Sequence, residues 1–403
     1  MADTVYRGRV STEAKTVTES AIVYSDASDT MGAAEELCSK VSAALAGKPA
    51  DALIVFASPR YDAPALLEKL MTSLHPKALV GASSAGEFAG RERGDGACVM
   101  ALRSDSIKFA AGLGRGLSVD RGVAARSVAA SFKGLSTEEY PYRAALVMTD
   151  ALAGHADDLV DELTLATSGK YQFFGGGAGD NAQFRRTPVF FGSEVTTDAV
   201  VALEILSKKP IGIGVGHGWE PATPPMRVTE AVGSRLVSLN GKSALHAFQK
   251  HATATGQTLD VDSPIPFFLH NILGIETGGG HRLRVPLGIN GDGSISCAAD
   301  IPTGALVHIM RTTTKSAVDA ATRATSSAVQ GLNGNKAKVA LFFDCVATRL
   351  RLGDVFGLEL QSLVDAFGDA GFMGCNTHGQ IARATGQFGG FHNCTAVVCA
   401  LPE

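Results

Sequence analysis

Four stretches carry residue types at spacings that chemistry uses. Gly175-Gly176-Gly177-Ala178-Gly179 has the glycine density of a dinucleotide-binding turn, but Pro188 and the strand-like Val189-Phe190-Phe191 follow where a pyrophosphate-binding helix should begin. Gly241-Lys242-Ser243 has the tail of a P-loop, with Leu236 where its first glycine belongs, so it reads as a turn and helix start. Gly81-Ala82-Ser83-Ser84-Ala85-Gly86 has the glycines and serines of a nucleophile elbow, with one residue too many and no helix after it. Cys375 and His378 are spaced like half a metal site, and no second pair at such spacing accompanies them. None of these motifs commits the chain to catalysis.

Around these motifs one order of parts recurs three times along the chain. An apolar run, Ala52–Ala57, Ala144–Met148 or Val339–Phe343, is followed by a helix-like segment. A Gly turn comes next, at Gly81–Glu87, Phe174–Asp180 or Gly374–Gln380, and then a second apolar run at Ala97–Leu102, Ala199–Glu204 or Ala396–Leu401. Such self-similarity outweighs any single motif. Runs apolar throughout predict strands covered on both faces. Strand, helix and strand in that order predict parallel pairs with right-handed crossovers, each followed by a local hairpin back. Pro64 early in the first helix and the apolar set Leu66, Leu67, Leu70 and Leu74 fit this plan.

Ahead of the first unit lies an extension over residues 1–50, with a strand at Ala21–Ser25 and a helix from Met31 opened by Asp29-Thr30. Between units two and three, Ile211–Trp219 alternates Gly with β-branched residues, and Glu220–Pro225 holds three prolines. That cluster is the predicted boundary between domains at 51–225 and 226–403. The second domain reads as mixed α and β, with a hairpin over Met226–Leu239 and a long Ala- and Thr-rich helix over Ser316–Gln330. The fold class expected is α/β, with repeated strand-helix-strand-hairpin units in mixed sheets layered against helices.

In parallel αβ units the loops at the carboxyl ends of strands gather on one rim, where ligands bind. Unit one brings Ser58, Arg60, Tyr61, Ser83, Ser84 and Glu87 to that rim. Unit two brings Asp150, His155, Asp180 and Asn181, and unit three Cys345, Arg349, Cys375, Asn376 and His378. Arginine beside Asp and Glu suits a small zwitterion. The same polar types also favour turn conformations, which is the competing account of their positions.

Composition narrows the classes of partner. A net charge of −4 over 403 residues and a single Trp argue against a nucleic-acid surface, which needs basic stripes or stacking platforms. No apolar run reaches the ~18 residues of a membrane span, and the N-terminus lacks a signal pattern, so no membrane insertion and a cytoplasmic location are expected. Seven cysteines, an odd number lying mostly on apolar strands, fit reduced thiols better than a disulfide framework.

Taken together, these parts resemble the FIST proteins, with consecutive FIST N and FIST C domains. The resemblance rests on the Gly81–Glu87 turn, Phe174–Asp180, Arg227-Val228-Thr229 with Leu239–Leu245, Gly374–Gln380, and His392-Asn393-Cys394-Thr395. It covers most of residues 51–401. Two departures stand out: the family's close Cys and Arg are here Cys345 and Arg349, separated by Val346-Ala347-Thr348, and Gln380 replaces a usual Glu. The resemblance implies a non-enzymatic sensor in signal transduction that binds amino acids or their derivatives. It adds His392 and Asn393 to the candidate ligand-binding residues. It also implies relay to a separate signalling protein such as a histidine kinase or cyclase. No cofactor is expected on this reading. A subset of the family resembles haem-bound nitric oxide sensors; for that alternative the axial candidates are His217, His270, His308, His378 and His392.

Overall fold

The computed structural model describes residues 18–384 and 390–403. Each predicted repeat is one unit of a common plan. A lead strand and helix precede two parallel strands joined by a second helix, and a final strand returns antiparallel beside the first. In unit one these are Thr18–Ser25, Thr30–Ala44, Ala52–Ala57, Ala63–Leu74, Leu79–Ser83 and Ala97–Ser104. Unit two runs through Ile107–Arg115, Arg121–Ala129, Tyr142–Thr149, Ala156–Ala166, Gln172–Gly177 and Ala199–Ser207. Unit three uses Gly212–Gly216, Thr314–Gly331, Ala337–Cys345, Gly357–Phe367, Gly371–Thr377 and Ala396–Pro402. The helices start where side chains accept orphan amides: Asp29, Asp62 and Asp120 cap three of them, and Thr313 with Ser316 forms a capping box.

Local hairpins were expected to stay within their units, and the structure differs. The hairpin Glu87–Ala89 with Glu92–Gly94 leaves unit one and pairs with Gly371–Thr377 of unit three. Val189–Phe191 with Glu194–Thr196 leaves unit two and pairs with Leu79–Ser83 of unit one. Gln380–Arg383 with Gly390–His392 leaves unit three and pairs with Gln172–Gly177 of unit two. The exchange is cyclic, so the three six-stranded sheets close into a ring of pseudo-threefold symmetry.

Alternation along each strand explains how the ring packs. Ile54 and Phe56, Leu146 and Met148, and Leu341 and Phe343 point into one shared central core, where Phe56 meets Phe343 edge-on at 5.6 Å. The intervening residues point outward onto each unit's own helices, as Leu53 and Val55 do against Leu37, Leu66 and Leu70. Burial on both faces is why these strands are apolar throughout, and each buried Phe or Leu contributes roughly 1.5–3 kcal/mol.

Residues between Gly216 and Thr314 form a separate nine-stranded sheet with helix Ala244–Thr255, inserted inside unit three. The Gly alternation of Ile211–Gly216 now has a cause: a Cβ on Gly212 or Gly214 would lie 1.8 Å from the carbonyl oxygen of Ala328 or Ala324. Helix Thr314–Gly331 sits directly on that strand. Among the described residues, no helix is long and apolar enough to cross a membrane.

Candidate functional site

The second strands of the three units end at the same place, and their turns hydrogen-bond to one another. Ala85 N donates to Asn376 O at 2.9 Å, and Asn376 N to Gly86 O at 2.8 Å. His378 N donates to Gly177 O at 3.0 Å, and Gly179 N to Ser83 O at 2.9 Å. The predicted rim is thus one continuous structure built from all three units.

A polar cleft of about 500 Å3 opens beside it, lined by Glu87, Arg93 and Asp95 of the first unit's donated hairpin, Asn181 of unit two, and Arg349 and Asn376 of unit three. Arg349 is held from below, its Nη1 donating to Ala85 O and its Nη2 to Asp95 Oδ1 at 3.4 Å. Its guanidinium lies against Gly86, where any Cβ would collide with it. Glu87 is fully buried and accepts bonds from the Ser84 hydroxyl and from Gly96 N at 2.8 Å. Burial pushes its carboxyl up to about 8, against the lowering effect of those bonds. Asn181 Oδ1 and Asn376 Nδ2 are buried without hydrogen-bond partners. A buried amide atom left unpaired is costly, which marks it as a contact for something else.

A second cavity, about 690 Å3, lies between the ring and the inserted sheet. Its walls are apolar, including Phe184, Phe268 and Leu287, and its polar members are Cys345, His378 and Asn393. Val346 and Leu350 line both cavities, so segment Val346–Leu352 is the wall between them. His378 stacks on Phe184 with ring centroids 4.6 Å apart. Neither of its ring nitrogens has a hydrogen-bond partner; Asp180 Oδ1 stands 3.6 Å away. Burial holds the imidazole down at about 4, so it is neutral.

The other predicted residues lie elsewhere. Arg60 is exposed, donating to the carbonyls of Asp26 and Ala27 and lying 4.5 Å over the Tyr61 ring. Ser83 Oγ donates to Pro188 O at 3.3 Å, and Ser84 reaches the cleft only through Glu87. Cys375 faces the central core. Asp180 accepts from the backbone amides of Gln183, Phe184, Arg185 and Arg186, and so fixes a loop in which Asn181, Ala182 and Phe184 all have positive φ. That loop delivers Asn181 to one cavity and Phe184 to the other. Such strain persists only where the surroundings enforce it. His392 is buried, and burial together with Arg282 and Arg284 holds it down at about 4. Arg93 and Asp95, in a charge-rich loop given no role from sequence, are the additions; their signal was the run Arg91-Glu92-Arg93-Gly94-Asp95.

Three interlocked α/β units with a polar cleft where their strands end define the architecture. The FIST N domain family model matches residues 51–242, and the FIST C domain model matches residues 244–383 directly after it. The chain belongs to the FIST family, whose domains are sensory domains of signal transduction. No curated protein matches the chain.

Proposed function

We propose that the protein is a cytoplasmic sensor whose polar cleft takes an amino-acid-like zwitterion and passes its bound state to a separate signalling partner. The observation that carries this reading is the set of groups gathered in one cleft: the Arg349 guanidinium, held in place by Ala85 O and Asp95, an unpaired amide donor on Asn376 and an unpaired acceptor on Asn181. A carboxylate matches the first two, because charge-assisted bonds from Arg are the strong ones. An ammonium matches Asn181 Oδ1 and the Glu87 carboxyl, which would release its proton when a cation approaches. The ligand would touch all three units at once and favour one arrangement of the ring and inserted sheet.

The test is a thermal-shift panel of the common amino acids. A true ligand at 100 times its Kd adds about 2.7 kcal/mol of apparent stability. Arg349→Ala should raise Kd about tenfold to a hundredfold, in keeping with the 1.5–3 kcal/mol of a hydrogen bond to a charged group. A panel with no response, or undiminished binding by the Arg349 variant, rejects this reading.

One observation favours a second reading, a haem-binding nitric oxide sensor acting on a partner histidine kinase. Of the five histidines open to that role, His308 is engaged by Thr223 O and Glu276 Oε1, each at 2.7 Å, and His270 is exposed. His217 Nδ1 accepts from Trp219 N at 3.3 Å, and His392 is not among the residues lining the apolar cavity. His378 alone of the five lines it, neutral and with no hydrogen bond to either ring nitrogen, which would suit a ligand to haem iron. Bound haem would supply an iron centre for a diatomic gas. Adding haemin should then produce a Soret band that His378→Ala removes; a spectrum unchanged by that substitution sinks the reading.

A further inference from the structure

Cys345 ends the strand Ala337–Cys345, two residues beyond Phe343, and Cys394 lies three residues before its strand partner Val397. The antiparallel pair therefore brings the two cysteines close, and both lie within one buried apolar cluster, near enough for each thiol to perturb the other. Cys345 lines the 690 Å3 apolar cavity. Cys394 lines a small polar pocket behind it, with Arg351 and the buried carboxyls of Asp344 and Glu359. Neither thiol is used by the ligand contacts described above.

We propose that Cys345 and Cys394 form a reversible dithiol–disulfide site oxidised by hydroperoxides that enter the apolar cavity. The Cys345 thiolate sulfur attacks the terminal peroxide oxygen; the O–O bond breaks, the leaving oxygen takes a proton as alcohol or water, and Cys345 becomes a sulfenic acid. The Cys394 sulfur, losing its proton, then attacks the Cys345 sulfur and expels hydroxide as water. Two thiols and one hydroperoxide thus yield one disulfide, one alcohol and one water. The surroundings favour this order. The neighbouring Cys394 side chain draws the Cys345 thiol down to about 7 against its burial, whereas burial pushes Cys297, on the same cavity wall, up to about 12. The thiolate is the attacking species, so equal access should still give unequal reaction. Cys345 and burial push the Cys394 thiol well up, so it keeps its proton while the pair is reduced; the nearby Arg351 cation offsets this only in part.

Oxidation would act beyond the sulfurs. Cys345 is the residue from which segment Val346–Leu352 departs, and that segment carries Arg349 into the polar cleft. A disulfide would anchor its root to the Cys394 turn.

The experiment uses the reduced full chain, treated with hydrogen peroxide, digested without reductant and mapped by mass spectrometry. A Cys345–Cys394 cross-linked peptide, two hydrogens lighter than its parts and restored by dithiothreitol, is expected. Cys297 and the enclosed Cys98, Cys375 and Cys399 should remain thiols. Before oxidation, iodoacetamide should label Cys345 at least about tenfold faster than Cys297. In Cys394→Ser, Cys345 should stop as a sulfenic acid that dimedone traps. The proposal is overturned if peroxide leaves both cysteines as thiols, joins either to another cysteine, or carries wild-type Cys345 to sulfinic acid without the cross-link. Mapping of the wild-type protein decides the matter even if the variant does not fold.

Discussion

Alanine at Gly81, Gly175 or Gly374 is expected to cost more than about 3 kcal/mol at each position, the range of the worst core substitutions. These glycines are equivalent in the three units. A Cβ there would stand 1.8, 2.1 and 1.7 Å from the carbonyl oxygens of Val55, Val147 and Phe342 respectively, each on the neighbouring parallel strand. No side-chain motion can relieve an overlap with backbone. The opposite flank is closed too, because the same three glycines pair with Phe190, Ile381 and Phe88 of the incoming hairpins. Gly278→Ala is the control, exposed and with nothing within 4 Å, and should stay within about 0.5 kcal/mol of wild type. Urea denaturation of the four variants measures this. A Gly374→Ala protein as stable as the Gly278 control would mean that the strands are not so closely apposed.

The second large effect concerns Glu87. In the folded protein burial raises its carboxyl to about 8, whereas the unfolded chain releases that proton near 4.5. Between these values the native state binds more protons than the unfolded state, so stability falls as pH rises and levels off above pH 8. Each pH unit in that window costs about 1.4 kcal/mol. Glu87→Gln keeps the neutral shape and removes the slope. The stability of the variant relative to wild type should therefore grow by roughly 3–5 kcal/mol between pH 5 and pH 9. Comparing the two proteins is necessary because burial also raises Asp344 and Glu359, whose titration is common to both. Parallel stability curves would show that Glu87 titrates as an ordinary surface acid.

Much of this architecture was legible in the chain because its causes are local. Strands covered on both faces must be apolar throughout, and Ala52–Ala57, Tyr142–Thr149 and Ala337–Cys345 are those runs with at most two residues' difference at an end. Asp29 before a helix and Pro64 within the first turn of another acted through their own neighbours. The destination of the hairpins was not legible. Glu87–Gly94 has the pattern of any returning loop, and nothing within it names a strand in unit three as its partner.

The same division holds at the site. Glu87, Asn181, Arg349 and Asn376 were placed on one rim by strand topology, and they do line one cleft. Arg60 was placed there by the same rule, yet the nearby carbonyls of Asp26 and Ala27 and the Tyr61 ring occupy its guanidinium. Sequence offered five histidines for one role. What distinguishes His378 is that it lines the apolar cavity with both ring nitrogens unbonded, a property of the assembled surroundings and not of its motif.

The cyclic exchange of hairpins also governs how the protein comes into being. During synthesis the first unit leaves the ribosome with Glu87–Gly94 unpaired, and its partner Gly371–Thr377 is among the last strands made. Its sheet meanwhile lacks Val189–Phe191 from unit two. No unit can finish alone, so the nascent chain must carry open strand edges until the ring closes, the condition under which chains aggregate or need chaperones. The polar cleft, lined by that first hairpin and by unit three, exists only after closure, so a growing or truncated chain has no receptor with which to answer a signal.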